Sequence, residues 1–152
     1  MENANLISRD SPHNMDGKNT PKILVIDSVR EELFVALIAA DGGEAIVSRT
    51  CSVQRAHDRN LNKLTRDLID RAGAFAVVVG PGSWTGSRVG VVAVKSYALA
   101  TGRPVVALRA CENRADLFAE VREKFAAGDF TPARDLAPFY NSEFFATPTN
   151  FG

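Results

Sequence analysis

Cysteine is scarce in this chain. Cys51 and Cys111 are the only two, too few for a disulfide framework and without Cys-x-x-Cys spacing. They read as reduced thiols. Histidine is as scarce, with only His13 and His57, so a Ser–His–Asp constellation around Ser83 would have to recruit His57 from a distance. Net charge is absent as well: 18 Lys and Arg balance 18 Asp and Glu. That balance argues against tight unaided binding to nucleic acid, which needs clustered cations to neutralise phosphates. No apolar run reaches the length of a bilayer span, and the N-terminus shows no basic-then-apolar secretion pattern. The sequence predicts a soluble, cytoplasmic protein with no membrane contact.

What is present suits one globular domain. The chain has 152 residues and an ordinary apolar fraction of 45%. Its organising stretch is Val78 to Gly90. Phe75 to Val79 is short, apolar and rich in β-branched residues, as in a strand buried on both faces. Val89 to Ala100 is apolar for longer than a strand lasts, and Gly102 and Pro104 then stop it. A glycine-rich turn, Gly80-Pro81-Gly82-Ser83-Trp84-Thr85-Gly86, joins the two, with Ser83 or Thr85 available to cap the helix. A helix N-terminus after such a turn can hold an anion. However, no Gly-Lys-Ser/Thr follows, and the spacing misses the dinucleotide fingerprint by one residue. As a bare glycine loop it reads as a tight connection.

Elsewhere the pattern is regular. Residues 1–21 bury little and predict a flexible tail, in which His13 is a solvated residue. Ile23–Asp27, Leu33–Ile38 and Glu44–Arg49 read as three antiparallel strands, with a hairpin signal at Asp41-Gly42-Gly43. From His57 to Ala72, Leu61, Leu64, Leu68, Ile69 and Ala72 share one helical face. Asp58 is a candidate N-cap and Gly73 a candidate C-terminal glycine. Strand Phe75–Val79, the motif helix and strand Val105–Leu108 follow. A last helix is expected from Arg114 to Ala127, ended by Gly128. The segment 129–152 is interrupted by prolines and rich in aromatics, with Phe139 and Tyr140 expected to pack. Three antiparallel strands, then helix–strand–helix–strand, predict a single ribonuclease H-like lobe: a mixed five-stranded sheet flanked by helices. Its domain would span 22–128.

The full string Gly80-Pro81-Gly82-Ser83-Trp84-Thr85-Gly86-x-Arg88-Val89-Gly90 resembles the signature of the bacterial TsaB family, also called YeaZ. Ile23 to Ser28 is similar to that family's opening strand, and Gly102 to Ala107 to the strand after its motif helix. A weaker echo lies at Pro138 to Tyr140. Relatives often carry an arginine after Tyr140, and none stands there in this chain. The resemblance also implies a second lobe between the fifth strand and a terminal helix, whereas here Leu108 leads almost at once into the last helix. The sequence thus reads as a shortened member.

The resemblance implies a non-catalytic subunit that binds and activates a TsaD-type transferase. That enzyme makes threonylcarbamoyladenosine in tRNAs decoding ANN codons. The resemblance also implies a TsaE-like ATPase as a third component and contact with tRNA only through partners. ATP and metal are expected on those partner subunits, with no cofactor in this chain. The TsaD relative carries a His-x-x-x-His pair on the helix corresponding to His57; here the second position is Leu61, which cannot bind a metal. The motif helix is apolar nearly all round and wants burial on two sides. Its second side is covered either by the Leu61, Leu64 and Leu68 helix or by a partner. With the family's helical-bundle contact in mind, the expected interface comprises Leu61, Leu64, Leu68, Val89, Val92, Ala93, Ser96 and Ala100. The small residues Gly90, Ala93 and Ala98 would permit close approach. No catalytic or metal-ligating residues are expected. Two other readings remain open. One is an actin-like nucleotide-binding protein using Asp27, Ser28 and the glycine turn, where Asp27 would match the first-strand acid that holds magnesium in that superfamily. The other is a homodimer through the same helical face.

Overall fold

The computed structural model describes residues 7–10, 20–52, 57–82 and 84–139; for 7–10, 57–59 and 84–87 it describes the backbone alone. Among the described residues six strands form one mixed sheet: β1 (Ile7–Asp10), β2 (Lys22–Asp27), β3 (Leu33–Ala39), β4 (Val47–Cys51), β5 (Ala74–Gly80) and β6 (Val105–Arg109). Their spatial order is β1-β4-β3-β2-β5-β6. β2, β3 and β4 make the antiparallel meander, while β5 and β6 extend the sheet in parallel from β2. Among the described residues three α-helices flank the sheet: α1 (His57–Thr65), α2 (Trp84–Thr101) and α3 (Arg114–Ala127). No helix among the described residues is long and apolar enough to cross a membrane.

The core alternates with the period of a strand. Leu24, Ile26, Val35, Leu37, Phe75 and Val77 face α1 and α2. Ile23, Val25, Ala36, Ile38, Ala76 and Val78 face α3 through Leu117 and Val121. Because both faces are covered, the central strands are apolar without interruption, as a doubly covered sheet requires.

The expected five strands are all present, and β1 adds a sixth. It pairs with β4 from Ile7↔Thr50 to Asp10↔Val47, which corrects the reading of 1–21 as a tail throughout. An edge strand is held by its backbone ladder, so polar composition is a poor guide to it. The helix expected over 57–72 is also corrected. It ends at Thr65, and a single 3₁₀ turn, Ile69–Arg71, follows. Arg49 Nη1 donates to Leu64 O at 2.8 Å, so one of the last carbonyls is engaged from β4, and Thr65 Oγ1 donates back to Leu61 O at 2.8 Å. Gly73 is therefore no helix cap; its amide donates to Lys22 O at 2.8 Å and starts the β2–β5 junction. α3 runs as expected: Asn113 accepts from the Asp116 amide, and Gly128 closes it at φ 71°.

After α3 the chain straps across the sheet edge. Thr131 N donates to Val105 O at 2.8 Å, and Phe139 N donates to Val79 O at 2.7 Å. Between them, Leu136 is buried on the α2 side of the sheet. Tyr140 to Gly152 lie outside the described residues.

Candidate functional site

Two places could carry function: the carboxyl ends of β2, β5 and β6 around the glycine turn, and the outer face of α2. The turn starts at Gly80, which has φ 134° and precedes a cis Gly80–Pro81 bond. A Cβ on Gly80 would lie 1.9 Å from Phe139 O. That glycine is therefore fixed twice, by backbone angle and by the strap passing over it. Ser83 lies outside the described residues, as do the side chains of Trp84, Thr85 and Ser87. The capping expected of Ser83 or Thr85 rests on those positions. Arg88, the last polar residue of the motif, is exposed.

Beside the turn, β2 ends on Asp27, which is only 1% exposed. Its Oδ1 accepts from Val29 N at 3.1 Å. Its Oδ2 accepts from Arg30 Nε at 3.4 Å and Arg114 Nη1 at 3.3 Å. Arg30 also donates through Nη2 to Cys111 O. Ser28 Oγ accepts from the Gly90 amide at 2.9 Å, which brings α2 onto β2. A Cβ on Gly90 would meet that oxygen at 2.7 Å. Gly90 thus serves the chain's own helix–sheet contact, correcting its assignment to a partner face.

The superfamily resemblance implies magnesium on the first-strand acid, and the residues do not fit it. Both Asp27 oxygens are taken, and two guanidinium groups supply the compensating charge. Cys111 offers no activated nucleophile: burial, then the Glu120 carboxylate 3.4 Å from Sγ, push its thiol pKa up and disfavour the thiolate. Among the described residues no three His, Cys, Asp or Glu side chains gather as a metal set.

The second place is built by α2. Val91, Val94 and Ala98 face the core, and Tyr97 donates to or accepts from Thr65 Oγ1 at 2.8 Å across α1. Val89 and Ala93 are partly buried against the same core. The opposite face is open: Val92 is 56% and Leu99 69% exposed, and Ser96 and Ala100 are exposed between and beside them. Of the expected interface, Val92, Ser96 and Ala100 share this surface. Leu61, Leu64 and Leu68 do not. They are 0–4% exposed within the core, Leu61 and Leu64 on α1 and Leu68 in the turn that follows it, so these three are corrected to core residues. Leu99 was the residue missed. Its signal is its position seven after Val92, two turns along one face.

Comparison with known proteins fits this geometry. A family model described as TsaD, tRNA N6-adenosine threonylcarbamoyltransferase, matches residues 46–118. No curated relative matches the chain. Among solved structures, one from Pseudomonas aeruginosa is described as an uncharacterized protein with similarity to peptidase YEAZ. It is 32% identical with TM-score 0.52, over 59% of this chain and 43% of that one. A second, YeaZ from Pseudomonas aeruginosa, is 31% identical with TM-score 0.51, over 59% of this chain and 44% of that one. The chain therefore spans less than half the length of these relatives. Sheet order, motif turn and these matches agree: over the part that matches, the chain is similar to the YeaZ structures and to the TsaD family model, on a ribonuclease H-like fold.

Proposed function

We propose that this chain is a non-catalytic partner subunit for a TsaD-type threonylcarbamoyl transferase, docking through the outer face of α2. Its similarity to YeaZ and to the TsaD family supports a role connected with tRNA modification. One observation carries the docking assignment: Val92 and Leu99 stand open on one helical face of a domain whose other large aliphatic residues are mostly buried. An exposed apolar stripe bordered by small and polar residues suits helix-on-helix contact. In this reading the chain supports the partner's active arrangement and contacts tRNA only through it. ATP and metal belong to the TsaD-like subunit and a TsaE-like ATPase, in a cytoplasmic complex.

The reading is tested by affinity between this chain and its own organism's TsaD-type subunit, for wild type, Val92→Glu and Leu99→Glu. Each variant places a charge in the centre of the contact, and the expected loss is about tenfold or more. Both positions are exposed, so both variants should stay folded with melting temperatures near wild type. Absence of binding by the wild type, with the ATPase and ATP present, would remove the partner reading. A concentration-dependent dimer lost in the same variants would show that the face also serves self-association.

A further inference from the structure

The strand-end carboxylate is answered from within the chain. Arg114 reaches it from the first turn of α3, with Nη1 3.3 Å from Asp27 Oδ2 and Nη2 3.5 Å from Glu32 Oε1. One planar fork thus bridges two carboxylates, a geometry suited to arginine and not to lysine. Its guanidinium carbon lies 3.7 Å above the centroid of the Phe34 ring, which adds a cation–π contact. Phe34 in turn stacks on Phe118 of α3 at 6.1 Å.

Arg114 holds this place against two costs. It is the first residue of α3, where the helix dipole favours anions over cations. Burial is also the main influence on its pKa, drawing it below the ordinary arginine value, while Asp27 and Glu32 push it back up. A residue so placed is there for what it meets. With Arg30, the cluster sums to two negative and two positive groups, so no charge remains for a metal to neutralise.

We infer that Arg114 is the resident cation of this site: it fills the position between Asp27 and Glu32 that a divalent ion would take. Docking of α3 and metal binding at Asp27 therefore exclude one another. The inference stands apart from the partner reading, since it concerns the end of the sheet and not the α2 face.

The test uses the full chain with Mn²⁺ as the probe, free Mn²⁺ being read by electron paramagnetic resonance. Wild type, D27N, R114M and D27N/R114M are compared. Wild type should take up no Mn²⁺ that D27N abolishes. R114M should melt roughly 5–10 °C lower, because a buried carboxylate loses a partner. It should also gain weak, millimolar Mn²⁺ uptake that depends on Asp27. D27N/R114M should recover part of the lost melting temperature. If R114M does not fold, R114K, which keeps the charge but not the fork, should fold with a lowered melting temperature and still exclude Mn²⁺. Asp27-dependent uptake by wild type would overturn the inference. So would strictly additive effects of D27N and R114M, or a folded R114M that gains no uptake.

Discussion

α1 and α2 lie on the same side of the sheet and were built from different kinds of sequence. α1 is amphipathic, and its stripe is consumed: Leu61 and Leu64 are buried, with Asn62 and Lys63 outside. α2 is apolar almost all round, and only half of it is consumed. Val91, Val94 and Ala98 go inward while Val92 and Leu99 remain in solvent. Amphipathic periodicity describes what a domain buries by itself. Apolar residues beyond that periodicity describe a surface the domain does not cover, and that surplus is where a partner is expected.

The largest break in this comparison is a truncation in α1. Leu61→Ala removes a 1% exposed side chain from the core and should cost about 2–5 kcal/mol in urea unfolding. The equivalent change on α2's outer face, Leu99→Ala, should stay within about 0.5 kcal/mol. Equal losses at the two positions would mean that α2's outer face is covered within the chain.

A smaller effect is expected on the inner face of α2. Gly90→Ala forces a methyl group against Ser28 Oγ at 2.7 Å, with Ile26 and Val77 methyls each at 3.4 Å. Overpacking of this kind costs about 1–3 kcal/mol, while the gain in helix propensity returns up to about 1 kcal/mol. A net loss, read from the unfolding midpoint, would confirm that Gly90 is spent on the sheet. A gain in stability would show that α2 can lift off β2 freely.

How much of this was legible follows from range. β2, β3, β5 and β6, α3 with its Gly128 end, and the Gly80–Pro81 turn are local patterns and stand close to where the sequence puts them, while β4 lies at Val47–Cys51 and not at Glu44–Arg49. β1 was not legible because its pairing with β4 rests on backbone groups. The early end of α1 was hidden because Arg49, sixteen residues before Thr65, takes the Leu64 carbonyl. Gly80 looked like a turn glycine, and its φ is one; its second reason, Phe139 O, lies in a strap 59 positions later in the chain. At the candidate site, Asp27 was legible as a strand-end acid. That Arg114 answers it depends on a contact across 87 residues.

The smallest expected effect concerns what holds α1 to the meander. Arg49 makes a two-pronged pair with Asp67, at 2.7 and 3.0 Å, just beyond the end of α1. The hydrogen bond from Arg49 is the first cause that holds the Asp67 carboxyl below the ordinary aspartate value, with partial burial opposing it. A carboxylate with a depressed folded-state pKa stabilises the protein above its unfolded value, and that stability is lost as pH falls through the folded one. The Asp67 side chain is 60% exposed, so solvent screening limits the contribution to a few tenths of a kcal/mol. Melting temperatures measured from neutral pH downward should therefore separate wild type from Asp67→Asn slightly at pH 7. The two curves should converge below about pH 4, as the wild-type carboxylate becomes protonated. A gap that persists unchanged at pH 3 would mean that Asp67 acts through packing and not through charge.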